Sequence, residues 1–381
     1  MGSAIPQGRL LEIVREARAR TGIPAVTAGL LVSGQVELAA DGPVEAETPF
    51  RIASITKWFT ASLAALLLDL EAPVDGGASA GRLLSHTADL RPNSKDPLPE
   101  PCLGLWSYSN AGYVLAGEAC AAAAGTSFSA AVEERLLEPL GLEHTGFEEP
   151  LDAARGHVQD GAAGHRPAPD VEYAERRRPA GGLWSTVGDL LRFAQHQLGG
   201  DGPLDAAQRS AVQEPRAKAL GGDYCLGCWS RVLTGDRTAV DHEGSVGGYQ
   251  SLLLLVPEEK AALAVLTNSW RGSGLIRRVV RDLGLVPAPL EETGSEQVAA
   301  GRYALDDAVA VLAEREGRWR VAESETDPLT GTRIEKPEYA IDALGGDVYG
   351  LAGGLLMGHR VDFPRPGVAR VGWTALPAVS S

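Results

Sequence analysis

Ser54 and Lys57 lie three residues apart in the stretch Phe50-Arg51-Ile52-Ala53-Ser54-Ile55-Thr56-Lys57-Trp58-Phe59. The stretch runs from an extended segment into an apolar helix, so the spacing puts hydroxyl and ammonium on one helix face, one turn apart. A helix N-terminus favours developing negative charge on the serine and disfavours a proton on the lysine. That is one way to build a nucleophile with its base. The same four residues also describe an N-cap with a solvated lysine, so the pattern needs company. Three further pieces carry chemistry: Tyr108-Ser109-Asn110, the Leu83-Leu84-Ser85-His86-Thr87 run, and His242-Glu243-Gly244-Ser245. A phenol near a lysine can relay a proton, and a histidine can titrate or polarise near neutral pH.

The elements that must position these groups follow from periodicity. Apolar residues at Leu10, Leu11, Ile13, Val14 and Ala17 predict an opening helix over 7–21. Ala25 to Val32 and Gln35 to Ala40 predict a hairpin around Ser33-Gly34. The Ser54 helix continues through Leu63, Leu66, Leu67, Leu68 and Leu70, apolar nearly all round, which predicts burial within a large domain. Helices are expected over 114–124 and 128–140, an irregular excursion over 150–179, and a helix from Thr186, capped with Asp189. Strands are expected over 224–233, 248–256 and 261–267, with a closing helix over 275–283. After Val286-Pro287-Ala288-Pro289 the pattern changes to short alternating segments. This divides the chain into a catalytic domain at 1–285, a linker at 286–293 and a small β-rich C-terminal domain at 294–381.

Composition narrows the function classes. The 381 residues carry 44% hydrophobic and 22% charged side chains, the balance of a globular protein able to bury a large core. A formal net charge of -15 argues against nucleic acid as a partner. Arg176-Arg177-Arg178 follows acidic residues and reads as a solvated loop. No apolar stretch suits a membrane span, and the N-terminus lacks a signal-peptide pattern, so a cytoplasmic location is expected. Cys102, Cys120, Cys225 and Cys228 fit free thiols. Cys225 and Cys228 have redox or zinc spacing, but in a strand positions three apart face opposite ways, so they read as small buried residues and no metal site is expected.

In order and spacing these pieces resemble the serine β-lactamase and penicillin-binding-protein family. The likeness is to its class C and family S12 esterase branch, of His-x-Gly type. The flanks Phe50-Arg51-Ile52-Ala53 and Gly181-Gly182-Leu183-Trp184-Ser185-Thr186 share in the resemblance. It implies a mixed α/β fold with an antiparallel sheet flanked by helices, plus a helical lobe carrying the tyrosine motif. It implies Ser54 as nucleophile, Lys57 and Tyr108 as base and proton shuttle, and Asn110 on the substrate amide or the lysine. Oxyanion and substrate contacts fall to the N–H groups of Ser54 and Ser245 and to Gly244, and His86 becomes a support beneath the site. Such an active site requires no metal or organic cofactor.

Two departures bear on function. Penicillin-recognising members carry Lys-Thr/Ser-Gly where this chain has His242-Glu243-Gly244, so the cation and hydroxyl that bind a substrate carboxylate are lost. A neutral or partly protonated His242 instead fits a polariser near the leaving group or the tyrosine. The segment between the serine helix and Tyr108 is also short, which trims one wall of the cleft. The expected activity is therefore a serine hydrolase acting on a small-molecule ester or amide. The alternative is an acyltransferase of a natural-product, antibiotic-type pathway that passes the acyl group to an amine acceptor. A β-lactamase or DD-peptidase is the weaker third.

Overall fold

The computed structural model describes residues 5–160, 164–170, 172–219, 222–288 and, with short interruptions, 300–379. Helix α1 (Leu10–Thr21) leads into strands β1 (Val26–Val32) and β2 (Gln35–Asp41). The two-residue strand β3 (Phe50–Arg51) precedes helix α2 (Thr56–Leu67), and α3 (Asn110–Ala124) opens the helical lobe. The chain returns through β4 (Trp184–Ser185), paired with β3, and helices α4 (Val187–Gln197) and α5 (Ala206–Gln213). Strands β5 (Ala217–Ala219), β6 (Gly222–Tyr224), β7 (Trp229–Leu233), β8 (Arg237–Val246), β9 (Tyr249–Val256) and β10 (Ala261–Thr267) follow, then helix α6 (Ser273–Asp282).

These strands form one antiparallel sheet of eight, in the order β2-β1-β10-β9-β8-β7-β6-β5. Its central strands are covered on both faces. Because side chains alternate, Leu252, Leu254 and Val256 pack with α1 and α6, while Leu253 and Leu255 pack with the α2 side. That two-sided burial is why Leu252 to Val256 reads as an unbroken apolar run. Helix α2 is enclosed as its composition predicts, every residue from Thr56 to Ala65 being buried. Phe193 of α4 stacks on Phe59 at 4.0 Å and meets Trp58 edge-on at 5.8 Å. Lys57 is carried into this interior with them.

Several local expectations change. Ser54 belongs to a short 3-10 turn, Ala53–Ile55, ahead of α2, and Ala53 before it is left-handed at φ 48°. The excursion over 150–179 contains a small hairpin, His157–Asp160 with Gly164–Pro167. The strand expected over 224–233 is broken by a turn in which Cys225 N–H donates to the Cys228 carbonyl at 2.8 Å. The two thiols therefore do not diverge. They donate to the carbonyls of Gln213 (3.1 Å) and Val212 (3.6 Å) at the end of α5, occupying acceptors that a helix terminus leaves open. Gly227 in that turn has φ 75°, and a side chain there would overlap the Lys57 carbonyl.

The C-terminal strands are β11 (Gly301–Leu305), β12 (Ala308–Arg315), β13 (Arg318–Thr326), β14 (Tyr339–Gly345), β15 (Val348–Leu351), β16 (His359–Arg365), β17 (Val368–Val371) and β18 (Thr374–Val379). Each pairs antiparallel with its neighbours in space, and β12 pairs with both β11 and β13, so the curled sheet closes on itself. A short strand, Arg333–Glu335, adds to β13. Val286 to Ala288 still bond to β7 and the Thr234 that follows it. Most of the expected linker and the start at 294 fall on residues 289–299, outside the described residues.

Candidate active site

Ser54 sits where a helical run begins, so its N–H has no acceptor within the helix. Its half-buried Oγ lies 3.2 Å from Lys57 Nζ. Lys57 Nζ also bonds Asn110 Oδ1 at 2.8 Å and the carbonyl of Ala180. Asn110 keeps Oδ1 toward the lysine because its Nδ2 donates to Asn93 Oδ1 at 2.9 Å. Lys57 is fully buried, and burial alone holds its pKa well below the ordinary lysine range. A neutral amine has two N–H donors and one lone pair. The two carbonyl-type oxygens can only accept, so they take both N–H groups. The lone pair is left for the remaining neighbour, the Ser54 hydroxyl, which can donate. This is the hydrogen-bonding state of a general base.

Tyr108 comes from the extended segment before α3. Ser109 is the N-cap of that helix, its Oγ accepting from Gly112 N–H at 3.2 Å and donating to the Arg91 carbonyl at 2.8 Å. The motif thus does start a helix, and with the cap set its two flanking side chains both turn to Lys57. The Tyr108 ring lies 4.9 Å from Lys57 Nζ, and its buried hydroxyl lies beside Ser54. Burial pushes the phenol well above its ordinary pKa, so it holds its proton and can give it.

His86 brackets this tyrosine. Ser107 N–H donates to the His86 carbonyl at 3.2 Å, and Ser109 N–H donates to His86 Nδ1 at 3.0 Å. The ring sits 4.2 Å from that of Tyr108, in a box completed by Trp106, Tyr113 and Tyr224. Since Nδ1 accepts, the proton of the neutral ring is on Nε2; burial holds the ring far below the usual histidine pKa.

The strand side of the site is β8. Its pairing with β7 ends at Asp241↔Trp229, leaving the edge open from His242 to Val246. A two-residue turn makes Val246 and Tyr249 a mutually hydrogen-bonded pair. By alternation Gly244 and His242 also bond to β9, and the backbone of Ser245 points to the open edge. Gly244 lets the strand close on the Ser54 turn: a side chain there would overlap the Ile52 carbonyl, which accepts from Ser251 Oγ at 2.9 Å. The Ser245 side chain is exposed, with Oγ accepting from Gln250 Nε2 at 2.7 Å. Beyond the strand end a cavity of ≈ 170 Å³, off to the side of Ser54, is lined by Arg51, Trp184, Val246, Gly247 and Tyr249 among others.

His242 is placed differently from the polariser expected. It is fully buried, donating from Nδ1 to the Glu243 carbonyl at 2.6 Å. Its Nε2 accepts from Tyr224 Oη at 3.3 Å. Its hydrogen bonds thus go to Tyr224 and the backbone and not to Ser54, Lys57 or Tyr108, and burial pushes its pKa down to about 3. His242→Ala is expected to lower turnover roughly a hundredfold by loosening this wall and misplacing the groups in front of it, while the pH–rate profile above pH 5 keeps its shape. An unchanged rate would make the residue a spectator.

Ser54, Lys57, Tyr108 and Asn110 therefore converge, with Gly244 and Ser245 beside them and His242 behind. Tyr224, Asn93 and the Ala180 carbonyl are partners that no motif signals. Among the described residues no group of three His, Cys, Asp or Glu side chains could hold a metal, and no helix is long and apolar enough to cross a membrane.

The Beta-lactamase family model matches residues 10–284. The chain belongs to the beta-lactamase family. Within it, the chain is similar to penicillin-binding protein 4 of Amycolatopsis lactamdurans, 25% identical over 68% of this chain and 85% of that protein. Among solved structures it is similar to SurE, with a TM-score of 0.77 at 23% identity, covering 97% of this chain and 98% of the other. SurE has also been solved with D-Leu. A D-stereospecific amidohydrolase from Streptomyces sp. shares the fold with a TM-score of 0.62 at 20% identity, over 71% and 98% of the two chains. The SurE match extends through the C-terminal sheet, whereas the family model stops before it.

Proposed function

We propose that this beta-lactamase-family chain is an acyl-enzyme hydrolase of small-molecule esters or amides, with Ser54 as nucleophile. The observation that carries the reading is the hydrogen-bonding state of Lys57, whose two N–H groups are claimed by Asn110 and Ala180. Ser54 Oγ attacks the substrate carbonyl carbon as its proton passes to Lys57. The oxyanion is held by the N–H groups of Ser54 and Ser245, each donor contributing about 3 kcal/mol. Collapse breaks the bond to the leaving group, which takes the Tyr108 proton; the phenol recovers one from the lysine. Water then releases the acyl group by the reverse relay. The neutral, fully buried His242 supports a substrate that presents no carboxylate to this strand. The names of SurE with D-Leu and of the D-stereospecific amidohydrolase favour an acyl donor of D configuration.

Incubation with a fluorophosphonate probe is expected to add one phosphonyl group at Ser54, read by peptide mass spectrometry. An unlabelled Ser54 in folded protein would remove the reading.

Transfer to an amine is the second reading. It uses the same Ser54, Lys57 and Tyr108 relay, with an amine taking the place of water at the acyl-enzyme. Activated ester supplied with a panel of amines then yields amide in proportion to amine. Free acid as sole product at every amine concentration rules this reading out.

A further inference from the structure

We propose that the C-terminal barrel is a working part of the active site: through Ala375 of β18 it holds Ser107 and thereby aims the Tyr108 hydroxyl. This rests on Tyr108 being the proton donor of the proposed function and extends that role to a part of the chain the family match does not reach.

Tyr108 lies in a strap, residues 98–109, that has little regular structure of its own beyond one short 3-10 turn. On its inner side the strap is tied by the two hydrogen bonds to His86 that flank the tyrosine. On its outer side it is tied to the barrel. Ala375 N–H donates to Ser107 Oγ at 3.3 Å, both residues being buried, and Cys102 Sγ donates to the Ala375 carbonyl at 3.8 Å. Leu98, Cys102 and Leu105 complete an apolar cluster whose other members come from the barrel, including Tyr303, Val368 and Leu376. Arg91, whose carbonyl accepts from Ser109 Oγ, is ion-paired with Asp306.

The strap therefore has one face on His86 and the other on β18, and Ser107, adjacent to Tyr108, touches both. Its N–H fixes the backbone toward the site and its hydroxyl fixes it toward the barrel. A proton donor works only within hydrogen-bond reach of the atom it protonates, so small displacements are costly. Ser107 and Ala375 are positioning residues in this arrangement, since neither touches the reacting atoms.

Leaving-group basicity separates aim from bulk stability. A 4-nitrophenolate departs without a proton, whereas phenolate and 4-methoxyphenolate benefit from one. The full-length protein and its Ser107→Ala variant would be compared on 4-nitrophenyl, phenyl and 4-methoxyphenyl acetate. Ser107→Ala is expected to lose roughly tenfold more kcat/KM on the methoxyphenyl ester than on the nitrophenyl ester, part of the roughly 10²–10⁴ that a positioned acid supplies. Its KM values stay within about twofold, as expected when only a transition-state contact is lost. Ser107→Thr, which keeps the hydroxyl, restores the shallow dependence. Leu376→Ala, which loosens the strap from the barrel side, steepens it in the same sense, and Val379→Ser at the exposed end of β18 does not.

Equal losses on all three esters in both Ser107→Ala and Leu376→Ala would overturn the proposal. If Ser107→Ala fails to fold, Leu376→Ala alone decides by the same criterion. Fluorophosphonate labelling of the parent protein separates this failure from failure of the underlying reading. Labelled Ser54 with no change in leaving-group dependence refutes the barrel's role only, whereas an unlabelled parent refutes the serine reading itself.

Discussion

Lys57→Met is expected to lower kcat/KM by roughly 10³–10⁴-fold, the upper range of general-base contributions, and to remove one term by which stability rises with pH. Methionine fills the space of the lysine stem but offers no lone pair to the Ser54 hydroxyl. The stability effect follows from burial, which holds the lysine in the folded chain well below its ordinary pKa of 10.5. Between that depressed value and about 10.5 the unfolded chain binds one more proton at this position than the folded chain does. Stability therefore rises with pH through the window, by about 1.4 kcal/mol per pH unit where the difference is a full proton. The gain is complete above the unfolded value. Lys57→Met lacks this term while sharing every other titrating group, so urea unfolding of both proteins from pH 7 to 10 gives converging or diverging curves that isolate it. Parallel curves would mean that Lys57 keeps its proton in the fold.

Tyr108→Phe is expected to cost roughly 10²–10⁴-fold in kcat/KM on an unactivated ester or amide, the span of a lost general acid. On a 4-nitrophenyl ester it costs far less. The substitution keeps the ring that faces Lys57 at 4.9 Å and lies 4.2 Å from His86, so the strap and its packing persist. What it removes is a phenol that burial keeps protonated. Steady-state kinetics on both substrate types, with circular dichroism as a control for fold, test the assignment. Comparable losses on both substrates would place Tyr108 in the base rather than the acid role.

The juxtaposition of Ser54 and Lys57 was readable because one short stretch carries both, whereas its chemical reading needed the other motifs. Ser54, Lys57 and the helix that holds them occupy one short stretch, and the apolar composition of α2 already required the lysine to be buried. Tyr108 and Asn110 were legible through the family resemblance of their motif and not by position alone; in the structure the Ser109 cap fixes both flanking side chains from within the same turn. The partners that complete the site are non-local. The Ala180 carbonyl is backbone, to which any residue contributes equally, so no side-chain motif marks it. Tyr224 meets His242 because the β6–β7 connection is a tight turn, which a single strand read over 224–233 conceals. That same turn is why the two cysteines lie together against α5 when strand periodicity sent them apart. For His242 the strand position was legible but its depth was not, since burial depends on the aromatic residues that close over it. The β character of the C-terminal region followed from short alternating segments. Its closure pairs Arg302 with Val379, and its grip on Ser107 joins residues 268 positions apart, neither of which periodicity encodes.

The central claim is that a neutral Lys57 takes the proton of Ser54. Its most direct test is the rate of Ser54 phosphonylation by a fluorophosphonate across pH 5 to 11, in the parent and in Lys57→Met. The account predicts that the parent rate reaches its plateau well below pH 10.5 and that the variant is slower by orders of magnitude at every pH. A parent rate that keeps climbing to an inflection near pH 10.5, or a variant that labels as fast as the parent, would contradict it.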